Sequence, residues 1–169
     1  LDTYEDLIED TMRRREALVE FPARLEGLRQ GAGLNEPAER GFACRDARDE
    51  AHALLAEEVG RLDALFLELE DPVQAMIVEL VRDMSEGLRW AAGIVEEQGG
   101  ALADGGQLRT YCDAVLGNPI RFAARLFSWE TGGDGAISEE LEIAAMDVGE
   151  FLQLANVTRD IEKDLARGV

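Results

Sequence analysis

Histidine is almost absent from this sequence of 169 residues, which contains only His52. Zinc sites built on imidazole, and Ser-His or Cys-His nucleophiles, place histidine beside other ligands or a nucleophile, so these classes are nearly excluded. Cysteine is also scarce, and Cys44 and Cys112 lack the CxxC spacing of a metal or redox motif. We expect both to be reduced, buried side chains of a cytoplasmic protein.

Aromatic residues make up only 6% of the chain and proline occurs four times. Ala, Leu, Glu and Arg are plentiful instead, and they lose little side-chain freedom in a helix, so the composition predicts an all-α protein. With 46% hydrophobic residues, a chain of this length can bury one sizeable core. We therefore expect a single domain, residues 1–169, with about five long helices.

Basic residues are few, because 17 Lys and Arg stand against 36 Asp and Glu, which gives a formal net charge of −19. This charge repels phosphate backbones and anionic lipid surfaces, so nucleic acid is not an expected partner. Carboxylates are, however, suitable ligands for Mg²⁺. The sequence has no secretory signal and no apolar run near eighteen residues. It starts at Leu1 without Met and stops after a charged helical segment, so we expect a fragment cut short at both ends.

Hydrophobic periodicity and helix breakers predict where the helices lie. We expect the first helix to bend near Pro22, and the fourth to break at Gly117-Asn118-Pro119 because proline removes a backbone donor. The second should bury one apolar face. The predicted helices cover residues 2–30, 42–70, 71–98, 107–130 and a segment that follows the capping residue Ser138. The predicted apolar face of the second helix comprises Leu54, Leu55, Val59, Leu62, Leu65, Phe66 and Leu69.

Acidic residues cluster at the start of the chain. Asp2 and Asp6 are four residues apart and share one face of a helix, with Glu5 beside them. Like charges at that spacing repel, and a divalent cation that bridges to a phosphate ligand would offset the repulsion. The alternative is a solvated acidic face in an acidic protein.

A second polar stripe lies near the end of the chain, where spacings of three, four and four residues put four oxygen-bearing side chains on one helix face. Apolar neighbours such as Phe151, Leu152, Val157 and Ile161 suggest that this helix is substantially buried, and a buried polar stripe is costly unless it is paired or liganded. The alternative is an interhelical network of hydrogen bonds and ion pairs. The stripe consists of Gln153, Asn156, Asp160 and Asp164.

If the two stripes face each other across a helical bundle, they form an acidic mouth that can hold Mg²⁺ and, through it, a diphosphate. Metal ions there would neutralise the charge that develops on a departing diphosphate. An apolar bundle below would shelter a carbocation from water.

Four blocks of sequence follow one another along the chain: Leu1-Asp2-Thr3-Tyr4-Glu5-Asp6, Met84-Ser85-Glu86-Gly87-Leu88, Tyr111-Cys112-Asp113-Ala114-Val115-Leu116-Gly117 with Arg125-Leu126-Phe127, and the segment from Phe151 to Asp164. Together they resemble the squalene/phytoene synthase family. Their order and spacing agree with the family over essentially the whole chain, and the first has the form typical of squalene synthases.

The resemblance implies a helical bundle of the isoprenoid synthase type around a central pocket, and Mg²⁺-dependent head-to-head condensation of two prenyl diphosphates through a cyclopropyl intermediate. Farnesyl diphosphate is the expected substrate of a squalene synthase, which also uses NADPH. A phytoene or dehydrosqualene synthase is the nearest alternative. A catalytically silent relative that binds lipid or assists assembly is the alternative from another class. We expect a cytoplasmic protein, with peripheral membrane association through segments outside this chain; the sequence does not disclose an oligomeric state.

The resemblance also assigns roles to residues. It implies that Gln153 and Arg125 contact substrate, that Arg159 contacts diphosphate or the reducing cofactor, and that Tyr111 handles a proton or stabilises a cation, as a phenol can. The alternative for Tyr111 is a buried tyrosine with a satisfied hydroxyl. The expected metal ligands are Asp2, Glu5, Asp6, Asn156, Asp160 and Asp164.

This chain departs from the family pattern after Tyr111-Cys112. Where the family has a run of small residues ending in glycine, the chain has Leu116 and then Asn118-Pro119-Ile120. Bulkier side chains there are expected to shorten or reshape the space for the isoprenoid tail.

Overall fold

The computed structural model describes residues 1–32 and 42–167, and the side chains at positions 2, 5, 6, 160 and 162–167 lie outside the description. The described residues form helices and no strand, which confirms the predicted all-α class. They divide into two compact units, Leu1–Arg89 and Trp90–Val169. The expectation of a single domain stays a prediction.

The described residues of the first unit form four helices and most of a fifth. The helices are α1 (Asp2–Leu7), α2 (Thr11–Arg29), α3 (Ala47–Glu57), α4 (Val59–Glu68) and α5 (Asp71–Glu97), of which α5 continues into the second unit. The second unit holds α6 (Gly105–Cys112), a π-helix (Asp113–Gly117), α7 (Asn118–Glu130) and α8 (Glu139–Arg167). No helix of the described part of the chain is both long and apolar enough to cross a membrane.

Aspartate caps explain two differences from the predicted boundaries. The single helix expected over residues 2–30 is two helices, because Asp10 ends the extended link after α1 and accepts a hydrogen bond from the Arg13 backbone N–H at 2.9 Å. Pro22 lies inside α2 and does not end it. The helix expected from residue 42 begins only after Asp46, whose carboxylate accepts from the backbone N–H of Asp49 at 3.0 Å.

Only part of the predicted apolar face of the second helix is buried in the first unit. Of that face, Val59 and Phe66 are buried, whereas Leu54, Leu55, Leu62, Leu65 and Leu69 are exposed, so the prediction was wrong for these five leucines. Both buried residues lie on α4, one of two short helices that replace the long helix expected there. The core cluster consists of Leu25, Leu28, Phe66 and Val78, with Phe21, Ile77 and Val81 packed against it.

A buried ion pair joins α2 to α4 in the same unit. Arg24 Nη2 donates to Asp63 Oδ2, and the side chains are 11% and 1% exposed. Burial raises the pKa of the Asp63 carboxyl, although the charge and hydrogen bond of Arg24 act to lower it. Arg24 Nε and Asp63 Oδ1 are buried without a hydrogen-bond partner among the described residues, so this pair is incompletely satisfied.

The second unit contains an unbroken helical path where a break was predicted. Gly117 and Asn118 keep right-handed helical dihedral angles, and the π-helix connects α6 directly to α7. The predicted break at Gly117-Asn118-Pro119 is therefore wrong. The π-helix allows a proline in this continuous path, because Pro119 falls in the first turn of α7, where the missing backbone N–H costs little.

The remaining predictions about α5, α8 and the cysteines have mixed outcomes. Helix α5 begins at Asp71 as expected, and the backbone N–H of Leu141 donates to the Ser138 hydroxyl at 3.3 Å, which confirms the predicted cap of α8. Cys112 is fully buried, but Cys44 is exposed in the segment before α3, outside any helix, so the prediction for Cys44 was wrong.

Candidate active site

The first acidic motif lies on α1, which aromatic packing holds in place. Tyr4 is buried and makes an edge-to-face contact with Phe21, with ring centroids 5.6 Å apart, and stacks on Phe42 at 6.0 Å. In a helix, positions 2 and 6 fall on the side opposite Tyr4, and position 5 lies next to them. The side chains of Asp2, Glu5 and Asp6 are outside the description.

The second motif lies on α8, and its first residue continues the packed face of that helix. Ala145, Gly149 and Gln153 follow each other at intervals of four residues, and all three are buried. Asn156 is half-buried and Arg159 is exposed. The side chains of Asp160 and Asp164 lie outside the description, although the backbone places both positions in α8.

The rest of α8 is more exposed than predicted. Phe151 is 71% exposed and Ile161 51%, with Leu152 and Val157 also exposed. The expectation that these apolar residues make α8 substantially buried was wrong. The contacts of α8 within its unit run along the face of small residues, Ala145 and Gly149, so the larger side chains point elsewhere.

Tyr111 is the penultimate residue of α6 and is half-buried, while Cys112 beside it is completely buried. Arg109 Nε donates to Glu150 Oε1 of α8 at 3.0 Å, in an ion pair whose arginine side chain is largely exposed. Burial raises the pKa of the Cys112 thiol, and the nearby charge of Glu150 raises it further. A neutral, inaccessible thiol fits a packing role for Cys112 rather than nucleophilic chemistry.

The π-helix that follows Tyr111 rearranges one set of backbone hydrogen bonds. The N–H of Asn118 donates to the Asp113 carbonyl, five residues back, instead of to that of Ala114. The Asn118 side chain replaces the missing bond, because its Nδ2 donates to the Ala114 carbonyl at 3.2 Å. The sequence therefore supplies an amide at the position where the wider turn leaves a carbonyl without a backbone donor.

The π-helix meets α8 at two glycines. A Cβ atom built on Gly149 would lie 2.6 Å from the backbone nitrogen of Gly117 and 2.7 Å from its Cα. No side chain fits there, so the two backbones touch. This contact joins the segment after Tyr111 to the α8 face one turn before Gln153.

An ion pair spans the π-helix and was not predicted from the sequence. Arg121 donates to both carboxylate oxygens of Asp113, at 2.6 and 3.0 Å, and also to Asn118 Oδ1. In an α-helix, partners that share a face are about seven residues apart over two turns. The extra residue of a π-turn extends that spacing to eight, so an α-helical reading of the sequence does not bring these two residues together.

Arg125, the predicted substrate contact on α7, is half-buried. Its Nε donates to the carbonyl of Gly135 at 3.4 Å, in the loop before α8. Gly135 has a φ of 78°, a conformation that glycine adopts without strain. The structure thus places Arg125 against the α7–α8 connection.

The donor atoms of the two motifs suit Mg²⁺. Carboxylate and amide oxygens are hard ligands, and Asn156 lies one turn from the buried Gln153 on the face that continues to positions 160 and 164. Among the residues whose side chains are described, no three acidic, histidine or cysteine side chains group as metal ligands. Five of the six predicted ligands are not among those residues, Asn156 being the exception.

The two motifs belong to different compact units, so their expected confrontation across a central pocket stays a prediction. Within the first unit, a cavity of about 310 Å³ lies between α2 and α5. No described residue of the two acidic motifs lines it, whereas Ser85 and Glu86 of the Met84–Leu88 block do. Its lining residues are Leu18, Val19, Pro22, Ala23, Glu26, Val78, Arg82, Ser85, Glu86 and Arg89.

Comparison with known families gives one match. The sequence model of the squalene/phytoene synthase family matches residues 1–169, the whole chain. No curated protein and no solved structure matches. This family has the all-α isoprenoid synthase fold, in agreement with the helices described above.

Proposed function

Because the chain belongs to the squalene/phytoene synthase family, whose reaction is the head-to-head condensation of prenyl diphosphates, we propose that it is a Mg²⁺-dependent enzyme of the squalene synthase type. Farnesyl diphosphate is the proposed substrate. The observation that carries the proposal is the face of α8, where a buried Gln153 and a half-buried Asn156 continue toward Asp160 and Asp164 within a whole-chain family match.

The proposed metal ligands are the three acids of α1 and the oxygen-bearing residues of α8. Bound Mg²⁺ supplies charge neutralisation at the departing diphosphate. The carboxylate and amide oxygens of these residues are hard ligands of the kind that Mg²⁺ prefers, which supports a metal role for Asn156, Asp160 and Asp164 at one diphosphate and for Asp2, Glu5 and Asp6 at the other.

Tyr111 is the proposed proton-handling or cation-stabilising residue. It lies on α6 beside the buried Cys112, and its segment contacts α8 where Gly117 meets Gly149. A phenol can donate to the departing diphosphate, and its ring face can stabilise positive charge. Gln153 and Arg125 are proposed to contact substrate, and Arg159 to contact diphosphate or NADPH. The exposed position of Arg159 on α8 is compatible with an external ligand.

The proposed location is the cytoplasm, with peripheral association at a membrane that holds the apolar product. The rival functions differ by product. Squalene requires NADPH, whereas a phytoene or dehydrosqualene synthase forms its product without it. Incubation with farnesyl or geranylgeranyl diphosphate, with and without NADPH, followed by product analysis, separates these alternatives.

Diphosphate release tests the function itself. With Mg²⁺ and farnesyl diphosphate, the change Asp160→Asn should lower the rate about 100-fold, or about 2.7 kcal/mol of activation free energy, because a metal ligand is lost. Asp147→Asn is the matched control, since Asp147 is an exposed acid of α8 about 120° around the helix from Gln153. Its rate should equal that of the wild type.

The opposite results are equally informative. A folded wild-type protein that releases no diphosphate would favour the catalytically silent relative and contradict the proposal. Equal losses in both variants would show that acidity of α8 in general, and not the stripe, matters.

A further inference from the structure

Gly117 is packed on two sides, and one of them is occupied by a carboxylate. A Cβ atom on Gly117 would overlap Oδ1 of Asp113, and on the α8 side Gly149 lies against its backbone. Asp113 therefore fills the space that a side chain at position 117 would take. The π-helix is held between this carboxylate and α8.

Arg121 fixes the carboxylate in that position. It makes two hydrogen bonds to Asp113, and their side chains are 21% and 35% exposed, so water screens the pair only in part. Asp113 is the first residue of the π-helix, and Arg121 lies four residues beyond its last. The ion pair thus closes across the whole wide turn.

The wide turn determines the rotation of Tyr111. A π-turn accommodates one residue more than an α-turn, so its conversion to α-helix would rotate everything before it by about 100° relative to α7 and shift it by about 1.5 Å along the axis. Tyr111 lies only two residues before Asp113. A change in the turn would therefore carry its side chain to a different side of the helix.

We propose that Asp113 and Arg121 are positioning residues for the active site. The pair keeps the π-turn in the register that seats Gly117 on Gly149, and so fixes Tyr111 relative to the face of α8 that carries Gln153. The role of Tyr111 and Gln153 in turnover rests on the proposed function. The role of the ion pair in keeping the register of the turn does not depend on that function.

Cys112 provides a direct readout of the turn. It is fully buried, immediately before the π-helix, and in a Cys44→Ser background it is the sole thiol. Arg121→Met should raise its rate of labelling by a thiol reagent about tenfold, because the turn opens more often. Arg121→Lys, which keeps the charge but not the fork, should give an intermediate rate.

The matched control removes another arginine from the same segment. Arg109→Met breaks the ion pair with Glu150, in which the arginine side chain is 74% exposed, and should leave the labelling rate within about twofold. If Arg121→Met does not fold, Asp113→Asn tests the same ion pair, since asparagine keeps the shape of the aspartate side chain and removes its charge. If Arg121→Met and Asp113→Asn are labelled no faster than Arg109→Met, the proposal is overturned.

Turnover separates a positioning role from a purely structural one. Arg121→Met should lower kcat about tenfold or more while KM for the prenyl diphosphate stays within about twofold, because Tyr111 is misplaced and substrate contacts remain. Arg109→Met should keep both constants. Faster labelling with an unchanged kcat overturns the positioning role. A wild type without turnover contradicts the proposed function instead, and the labelling rates still decide whether the ion pair holds the turn.

Discussion

The two compact units are packed around opposite kinds of contact. In the first, Arg24 and Asp63 bring full charges into a nearly inaccessible place between α2 and α4. In the second, the π-helix and α8 touch where neither has a side chain, and the ion pair Asp113–Arg121 lies closer to solvent. The first contact is sensitive to the loss of a partner, and the second to the gain of a single carbon atom.

The largest expected effect comes from removing Arg24. Arg24→Met leaves the Asp63 carboxylate buried without its partner and should lower the free energy of unfolding by about 3–5 kcal/mol at neutral pH. Urea denaturation followed by circular dichroism measures it. Arg61→Met, which removes an arginine whose side chain is 83% exposed and pairs with Glu58, should change it by less than about 0.5 kcal/mol.

The same variant has a defined pH dependence. Burial holds the pKa of Asp63 above its ordinary 3.8. Without Arg24 nothing opposes that shift. The folded state then binds the proton more tightly than the unfolded state does. The difference in unfolding free energy between Arg24→Met and the wild type should therefore be smallest below pH 3.8 and should grow as pH rises through the folded pKa of Asp63. A deficit that is constant with pH would contradict a buried, unpaired carboxylate.

The double change Arg24→Met with Asp63→Leu refines this result. Replacing both charges by apolar groups should restore wild-type stability or exceed it, because the cost of burying two charges disappears. Persistent instability would mean that the ion pair itself, and not its desolvation, holds α2 against α4.

An intermediate effect is expected at the glycine contact. Gly149→Ala introduces a methyl group within 2.7 Å of the Gly117 backbone, which cannot move as a flexible side chain would, and should destabilise the protein by about 1–3 kcal/mol. Gly60→Ala in α4 is the matched control. Nothing lies within 4 Å of its new methyl group, so it should stabilise by up to about 1 kcal/mol. Equal urea midpoints for the two variants would refute the close contact.

The smallest effect should come from the cap of α8. Ser138→Ala should cost about 1 kcal/mol at neutral pH, because the Leu141 backbone N–H loses its acceptor. A hydrogen bond from its own backbone N–H, and then one from Ser138, lower the pKa of Glu140 below its ordinary 4.5. The stabilisation by the ionised Glu140 carboxylate is present above pH 4.5 and is lost as pH falls through its lower folded pKa, so the destabilisation by Ser138→Ala should become smaller in acid. Hydrogen exchange of the backbone amides at the start of α8 measures this destabilisation.

The sequence predicted those features that depend on neighbours along the chain. The start of α8 is predictable because the Ser138 cap acts within one turn, and α5 begins at Asp71 as predicted. The sequence does not predict the break after α1, although Asp10 is a suitable cap, because the apolar spacing continues across it.

Features that depend on an altered helical turn could not be predicted in the same way. The sequence predicts a break at Pro119, since the interior of an α-helix does not accommodate proline, but the π-turn does accommodate it and brings Asp113 to Arg121. For the candidate site, the stripe that begins at Gln153 follows from α-helical spacing, and Gln153 itself is buried, although α8 as a whole is more exposed than predicted. The roles of the predicted site residues stay predictions, because they depend on partners distant in sequence.

The order Asn118-Pro119 has a consequence for the chemical durability of the protein. Asparagine commonly deamidates when the backbone nitrogen of the next residue attacks the carbon of its side-chain amide, and that nitrogen must carry a hydrogen. Pro119 carries none. The amide that donates to the Ala114 carbonyl is thereby protected from conversion into a carboxylate, which would face that carbonyl as a second acceptor.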